Sequence, residues 1–124
     1  MRRNGLVTIT ILFMLLFGIS LVQADDVDNK LVQEAMDNYI KGKLSSQGGL
    51  YEIKGVKAEF DYLHSGVKED GSLFVSCADF KAGNDVYDID YYVKKNTDGK
   101  YIVVKEIFHK KNEKPVNDVL WQLN

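Results

Sequence analysis

Apolar residues along this chain fall into three successive patterns, and each predicts a different element. From Leu6 to Val22 they form a run uninterrupted by charge. From Val27 to Leu44 they recur at helical spacing: Val27, Leu31, Ala35 and Tyr39 make one row, with Val32, Met36 and Ile40 beside it. From about Tyr51 to Lys110 they alternate with polar residues, the period of strands, most clearly from Val56 to Tyr62 with one dry face.

The first pattern is an address. Arg2 and Arg3 precede the run, and Val22-Gln23-Ala24 closes it before Asp25 and Asp26, which is the layout of a secretory signal peptide over residues 1–24. The run also approaches the roughly 17 to 25 residues that span a bilayer, so retention as an anchor competes with cleavage; the small side chain of Ala24 favours cleavage. The arginine pair lacks the rest of a twin-arginine signal, and no cysteine follows the run to take a lipid. Ordinary export to the periplasm or medium is the expectation, with residues 25–124 forming one domain.

The second pattern predicts an amphipathic helix from Val27 to Leu44, with Asp25, Asp26 and Asp28 at its positive end and Lys41 and Lys43 at its negative end. Ser45 to Gly49 reads as a connection. The third pattern predicts four strands: Val56 to Tyr62, Leu73 to Ala82, Val86 to Lys95 and Tyr101 to His109. Short turns at Gly66 to Gly71, Gly83-Asn84-Asp85 and Asp98-Gly99 join them into consecutive antiparallel pairs. Beyond Pro115 the tail suits either a short helix through Val116, Val119, Leu120 and Leu123, or a strand through Val119, Trp121 and Leu123. The expected fold class is α+β: one N-terminal amphipathic helix packed on a four-stranded antiparallel meander.

That order of elements resembles the cystatin-like arrangement, which NTF2-like and several small exported bacterial domains also use around a curved sheet. The resemblance implies a fold and no particular activity. The Q-x-V-x-G hairpin of cystatin-type protease inhibitors is not matched by His64-Ser65-Gly66-Val67.

Charge and cysteine content narrow the partners. The whole chain carries −2, and loss of Arg2 and Arg3 with the leader makes the remainder more acidic. Nucleic acid is thereby disfavoured, since it needs clustered basic side chains. Cys77 is alone, so no intramolecular disulfide forms, and it reads as a small core residue. His64 and His109 fall near the ends of the first and fourth strands, which places them far apart and leaves neither a joint metal site nor a cofactor to expect. Asp88 and Asp90 share one strand face, with Asp61, Ser76 and Lys94 on the same polar side; a solvated surface is the plainer reading, and paired carboxylates for acid and base work the sharper one. Tyr92 faces that polar side by parity and, with Asp88, Asp90 and Trp121, makes the candidate binding set. No catalytic residue stands out.

The expected function is that of a small exported, non-catalytic binding domain. Its partner would be a protein, peptide or envelope component held at the open sheet face or an edge, with membrane contact only during export and a homodimer through strand edges as a further form. The alternative is an NTF2-like small-molecule-binding or catalytic pocket between helix and sheet, built on Asp88 or Asp90 and nearby tyrosines. Cleavage is checked by intact mass after cell fractionation: the expected species begins at Asp25, and a full-length mass retained in the membrane contradicts it.

Overall fold

The computed structural model describes residues 22–116 and 122–123. Nearly all of the expected leader, and Trp121, lie outside those residues. Helix α1 spans Asp26–Ser46, and the Asp25 carboxylate caps it by accepting from the Asp28 amide at 2.8 Å. Its buried stripe is Val32, Met36 and Ile40. After the helix come β2 (Tyr51–Ile53), β3 (Val56–Leu63), β4 (Lys68–Asp70), β5 (Leu73–Ala82), β6 (Asp85–Lys95), β7 (Tyr101–Lys111), β8 (Lys114–Pro115) and β9 (Gln122–Leu123). Before it, β1 (Val22–Gln23) pairs with β4, and the Ala24 amide donates to the Val67 carbonyl at 3.0 Å.

The expected four-stranded meander of cystatin-like type is overturned. The protein is mostly β, with one helix against an antiparallel curled sheet six to seven strands wide, a half-barrel. Three physical features account for the difference. First, β5 is too long for one partner: its N-terminal half pairs with β4, through Asp70↔Leu73 and Lys68↔Val75, and its C-terminal half pairs with β3, through Glu59↔Lys81 and Leu63↔Ala78. Second, short strands extend the sheet. Lys54 and Gly55, at φ 49° and 82°, fold β2 back onto β3 in a two-residue turn that needs left-handed backbone at both positions. Beyond β7, β8 and β9 add to the far edge. Third, register shifts inside β3 and between β6 and β7 leave Asp61, Val104 and His109 as extra residues. Each such bulge twists the sheet and moves the following side chains to the other face.

The core lies between α1 and one face of the sheet. Phe74, Ala78 and Phe80 of β5, Ile89, Tyr91 and Val93 of β6, and Phe108 of β7 meet the helix stripe, with Tyr51 and Ile53 closing one side. Ser76 belongs to this face and not to the polar one: it is buried, and its hydroxyl donates to the Gly66 carbonyl at 2.6 Å. Inside this core sits Glu106, with no exposed surface. Its carboxylate accepts from the hydroxyls of Tyr39 and Tyr51 and from Lys43 Nζ at 2.9 Å, while Tyr91 donates to the Tyr51 hydroxyl at 3.0 Å. Burial first, and the neighbouring carboxylate after it, push the Tyr39 phenol far above its ordinary range, so it remains a donor.

Removing the acceptor strands three donors in the core. Glu106→Ala is expected to lower unfolding stability by about 3–5 kcal/mol, as breaking a buried ion pair does. Glu106→Gln, which keeps one acceptor oxygen, is expected to cost less, about 1–2 kcal/mol. Urea unfolding of both variants checks the order, and equal losses would contradict it.

Candidate functional site

The sheet face turned away from α1 carries the polar chemistry. The two-residue hairpin after β5 pairs Ala82 with Asp85, and counting back places Asp79 opposite Asp88 and Cys77 opposite Asp90. Alternation then sends all four side chains to the helix-free face. The bulge at Asp61 brings Tyr62 opposite Asp79, and His64 follows on the same face with its amide bonded to the Cys77 carbonyl at 2.9 Å. The bulge at His109 does the same from the other flank, because Phe108 pairs with Ile89 and Lys110 with Asp88.

His64, Cys77, Asp88, Asp90, His109 and Lys110 therefore line one recess of about 380 Å³, which adjoins a groove of about 620 Å³ bordered by Tyr62, Asp79 and Asn112. The expected separation of the two histidines does not occur. His64 lies across the middle of the sheet because β3 takes only half of β5, and the bulge turns His109 toward the same cluster.

The contacts are specific. His64 Nε2 lies 2.7 Å from Asp79 Oδ1, and since a carboxylate only accepts, Nε2 donates. Nδ1 is left facing Cys77 Sγ at 3.1 Å. The Tyr62 ring stacks on the imidazole, 5.3 Å between centroids and 10° between planes, which fixes its orientation. On the other flank, His109 Nδ1 stands 3.3 Å from Asp90 Oδ2. Between the flanks, Asp88 Oδ1 is buried with no hydrogen-bond partner among the described residues.

Electrostatics oppose anion formation here. Burial, reinforced by Asp88, Asp90 and Asp79, pushes the Cys77 thiol up to about 12. Burial also raises Asp88, with Asp79 adding to it and His64, His109 and Lys110 opposing. Asp90 is pushed up to about 6 by burial and by Asp88, against His109 and Lys110. Cys77, His64 and Asp79 have the connectivity of a nucleophilic triad, yet a working thiolate needs an electropositive setting. Surrounding acids give this thiol the reverse.

A cation fits what a nucleophile does not. Ligand atoms of His64, Cys77 and Asp88 all lie within 4.8 Å of one another, and so do those of Asp88, Asp90 and His109. His64, oriented through its second nitrogen by Asp79, has the carboxylate–histidine arrangement that metal ligands use.

Of the residues singled out from sequence, Asp88 and Asp90 are at the centre of this cluster. Tyr92 is half-buried under Lys105 Nζ, 4.7 Å from its ring centroid, and does not line the recess. Asp61 stands apart, 3.4 Å from Lys81. Trp121 lies outside the described residues. Cys77, His64, Asp79 and His109 were missed as a group; the hairpin count could have supplied Cys77 and Asp79, but the histidines depend on bulges that leave no periodic signal.

The raised Asp90 predicts a pH slope in chelator-treated protein. The native state holds this proton to about pH 6 while the unfolded chain releases it near 3.8, so stability from this group is full below 3.8 and is lost as pH rises through 6. Asp90→Asn removes that contribution to the slope: relative to the parent, the variant is expected to gain about 2–3 kcal/mol in stability between pH 4 and pH 7. Urea midpoints across that interval check it, and parallel profiles contradict it. No protein-family model, curated protein or solved structure matches the chain.

Proposed function

We propose that this protein is a small exported binding module whose ligand is a divalent transition-metal ion, held on the helix-free face of the sheet. The observation that carries the reading is Asp88 Oδ1, a buried acceptor with no donor among the described residues, set between a thiol, two imidazoles and a second carboxylate. An isolated buried acceptor is costly, and a cation bound there would satisfy it.

The donor set narrows the ion. Thiolate, imidazole and carboxylate together suit zinc, whereas magnesium and calcium prefer oxygen alone. Metal binding gives the lone cysteine a task in an oxidising compartment, since a ligated thiolate is withheld from oxidation and from dimer formation. Export itself rests on the leader pattern of residues 1–24. The alternative of a pocket between helix and sheet has less support, because Asp88 and Asp90 face away from α1 and the facing space is occupied by Met36, Ile40 and Tyr91. Docking to a protein or envelope component would use the same polar face or the sheet edges, with the ion as its organising centre.

The test is zinc competition against a chromophoric chelator, using protein stripped with EDTA. Tight uptake is expected, with Asp88→Asn weakening it at least 100-fold and Asp79→Asn, which disturbs only the orientation of His64, about 10- to 100-fold. Binding displaces the thiol proton, so affinity falls about tenfold for each unit of acidification. Stripped protein that takes up no zinc and melts at the same temperature with and without it would sink the reading.

A further inference from the structure

The cluster is too wide for one ion. We infer that it is a dinuclear centre, one ion held by His64, Cys77 and Asp88, the other by Asp88, Asp90 and His109, with the Asp88 carboxylate as the bridge. This rests on the metal-binding reading above and adds to it the number of ions and the role of Asp88.

The geometry supplies the reason. Each triplet has its ligand atoms within 4.8 Å of one another, Asp88 is the member common to both, and no set of four among the described residues meets that limit. Bond lengths of about 2.0–2.3 Å put the ligands of a tetrahedral ion on the order of 3.3–3.8 Å apart. Either triplet closes onto such an ion by small side-chain rotations, whereas a single ion leaves two of the five donors out. The strand layout points the same way. His64 directly follows β3, Cys77 is on β5 and His109 on β7, and the backbones of β5 and β7 are two interstrand spacings apart, about 9.6 Å. Asp88 lies on β6 between them, and a carboxylate bridge spans ions about 3.5–4 Å apart. Its Oδ1, without a hydrogen-bond partner among the described residues, is an atom such a bridge requires.

The two positions differ in chemistry. The first includes sulfur and selects softer ions; the second has only nitrogen and oxygen and binds more weakly. Filling is therefore stepwise, with the thiolate position first. Each position has three protein ligands and keeps at least one place for water or an exogenous group, and Lys110 lines the same recess.

Cobalt(II) titration of the stripped protein, followed by optical absorption and native mass spectrometry, decides the matter. The first equivalent is expected to bring a thiolate-to-cobalt charge-transfer band; the second adds ligand-field absorption without increasing that band, and the mass settles at two ions. His109→Ala should keep the charge-transfer band and weaken the second step at least tenfold. Cys77→Ser should abolish the band. A parent protein that saturates at one ion with the band present overturns the dinuclear centre and leaves the metal-binding reading intact. Two ions still bound with unchanged affinity in His109→Ala would also overturn it, by placing the second ion elsewhere. No cobalt uptake at all removes both. The stoichiometry of the parent protein stands even where a variant fails to fold.

Discussion

A carboxylate buried between a helix and a sheet must draw its donors from both, and Glu106 does so. Tyr39 and Lys43 reach it from α1, Tyr51 reaches it from β2, and Tyr91 is joined through Tyr51. Apolar contacts alone tolerate sliding by a turn or a residue pair, but a charge with three donors does not. The network thereby fixes the helix on the sheet and β7 against β6, with Glu106 opposite Tyr91. Everything downstream on β7 inherits that register: Phe108 falls opposite Ile89 in the core, Lys110 opposite Asp88, and the extra residue between them is His109. The satisfied carboxylate on one face thus positions an imidazole on the other.

The two faces treat buried polar atoms in opposite ways. On the helix side every acceptor of the Glu106 cluster has a donor, and phenols supply most of them. On the other side acceptors are in excess: the carboxylates of Asp79, Asp88 and Asp90 are set against His64, His109 and Lys110, the Cys77 thiol faces His64 Nδ1, and one carboxylate oxygen is left over among the described residues. A hydrophobic core gains nothing from that imbalance, and a solvated surface would not bury Asp88 Oδ1. The excess of acceptors is the physical content of the candidate site.

Much of this was legible in the chain and some of it was not. The stripe of Val32, Met36 and Ile40 announces α1 because seven residues of period define a face. The long strands announce themselves likewise through alternation. Three-residue strands such as Tyr51–Ile53 and Lys68–Asp70 contain too few positions to show a period, and without them the sheet appears narrower and flatter than it is. Parity fails at bulges. Asp61 was assigned to the face of Asp88 because strict alternation puts it there, and the extra residue in β3 gives that face to Tyr62 and His64 instead. Ser76 was assigned to the polar side although its neighbours Phe74 and Ala78 share its face; its hydroxyl is buried because the Gly66 carbonyl accepts from it, a contact with a loop that no strand pattern encodes.

A domain with a single cysteine has to hold its fold without an intramolecular disulfide, and here the apolar core and the Glu106 network provide that hold on the side away from the recess. Small metallodomains whose core is insufficient unfold when the ion leaves. In this chain the candidate ligands lie outside the core, so the fold does not need the ion to form. An ion at Asp88 would instead join β3, β5, β6 and β7 across the curled face, adding stability in proportion to RT ln(1 + [L]/Kd), roughly 4 kcal/mol at a thousandfold excess over Kd. Fold and candidate ligand chemistry are in that sense separable: the helix side sets the register, and an ion on the helix-free side could come and go without unfolding the protein.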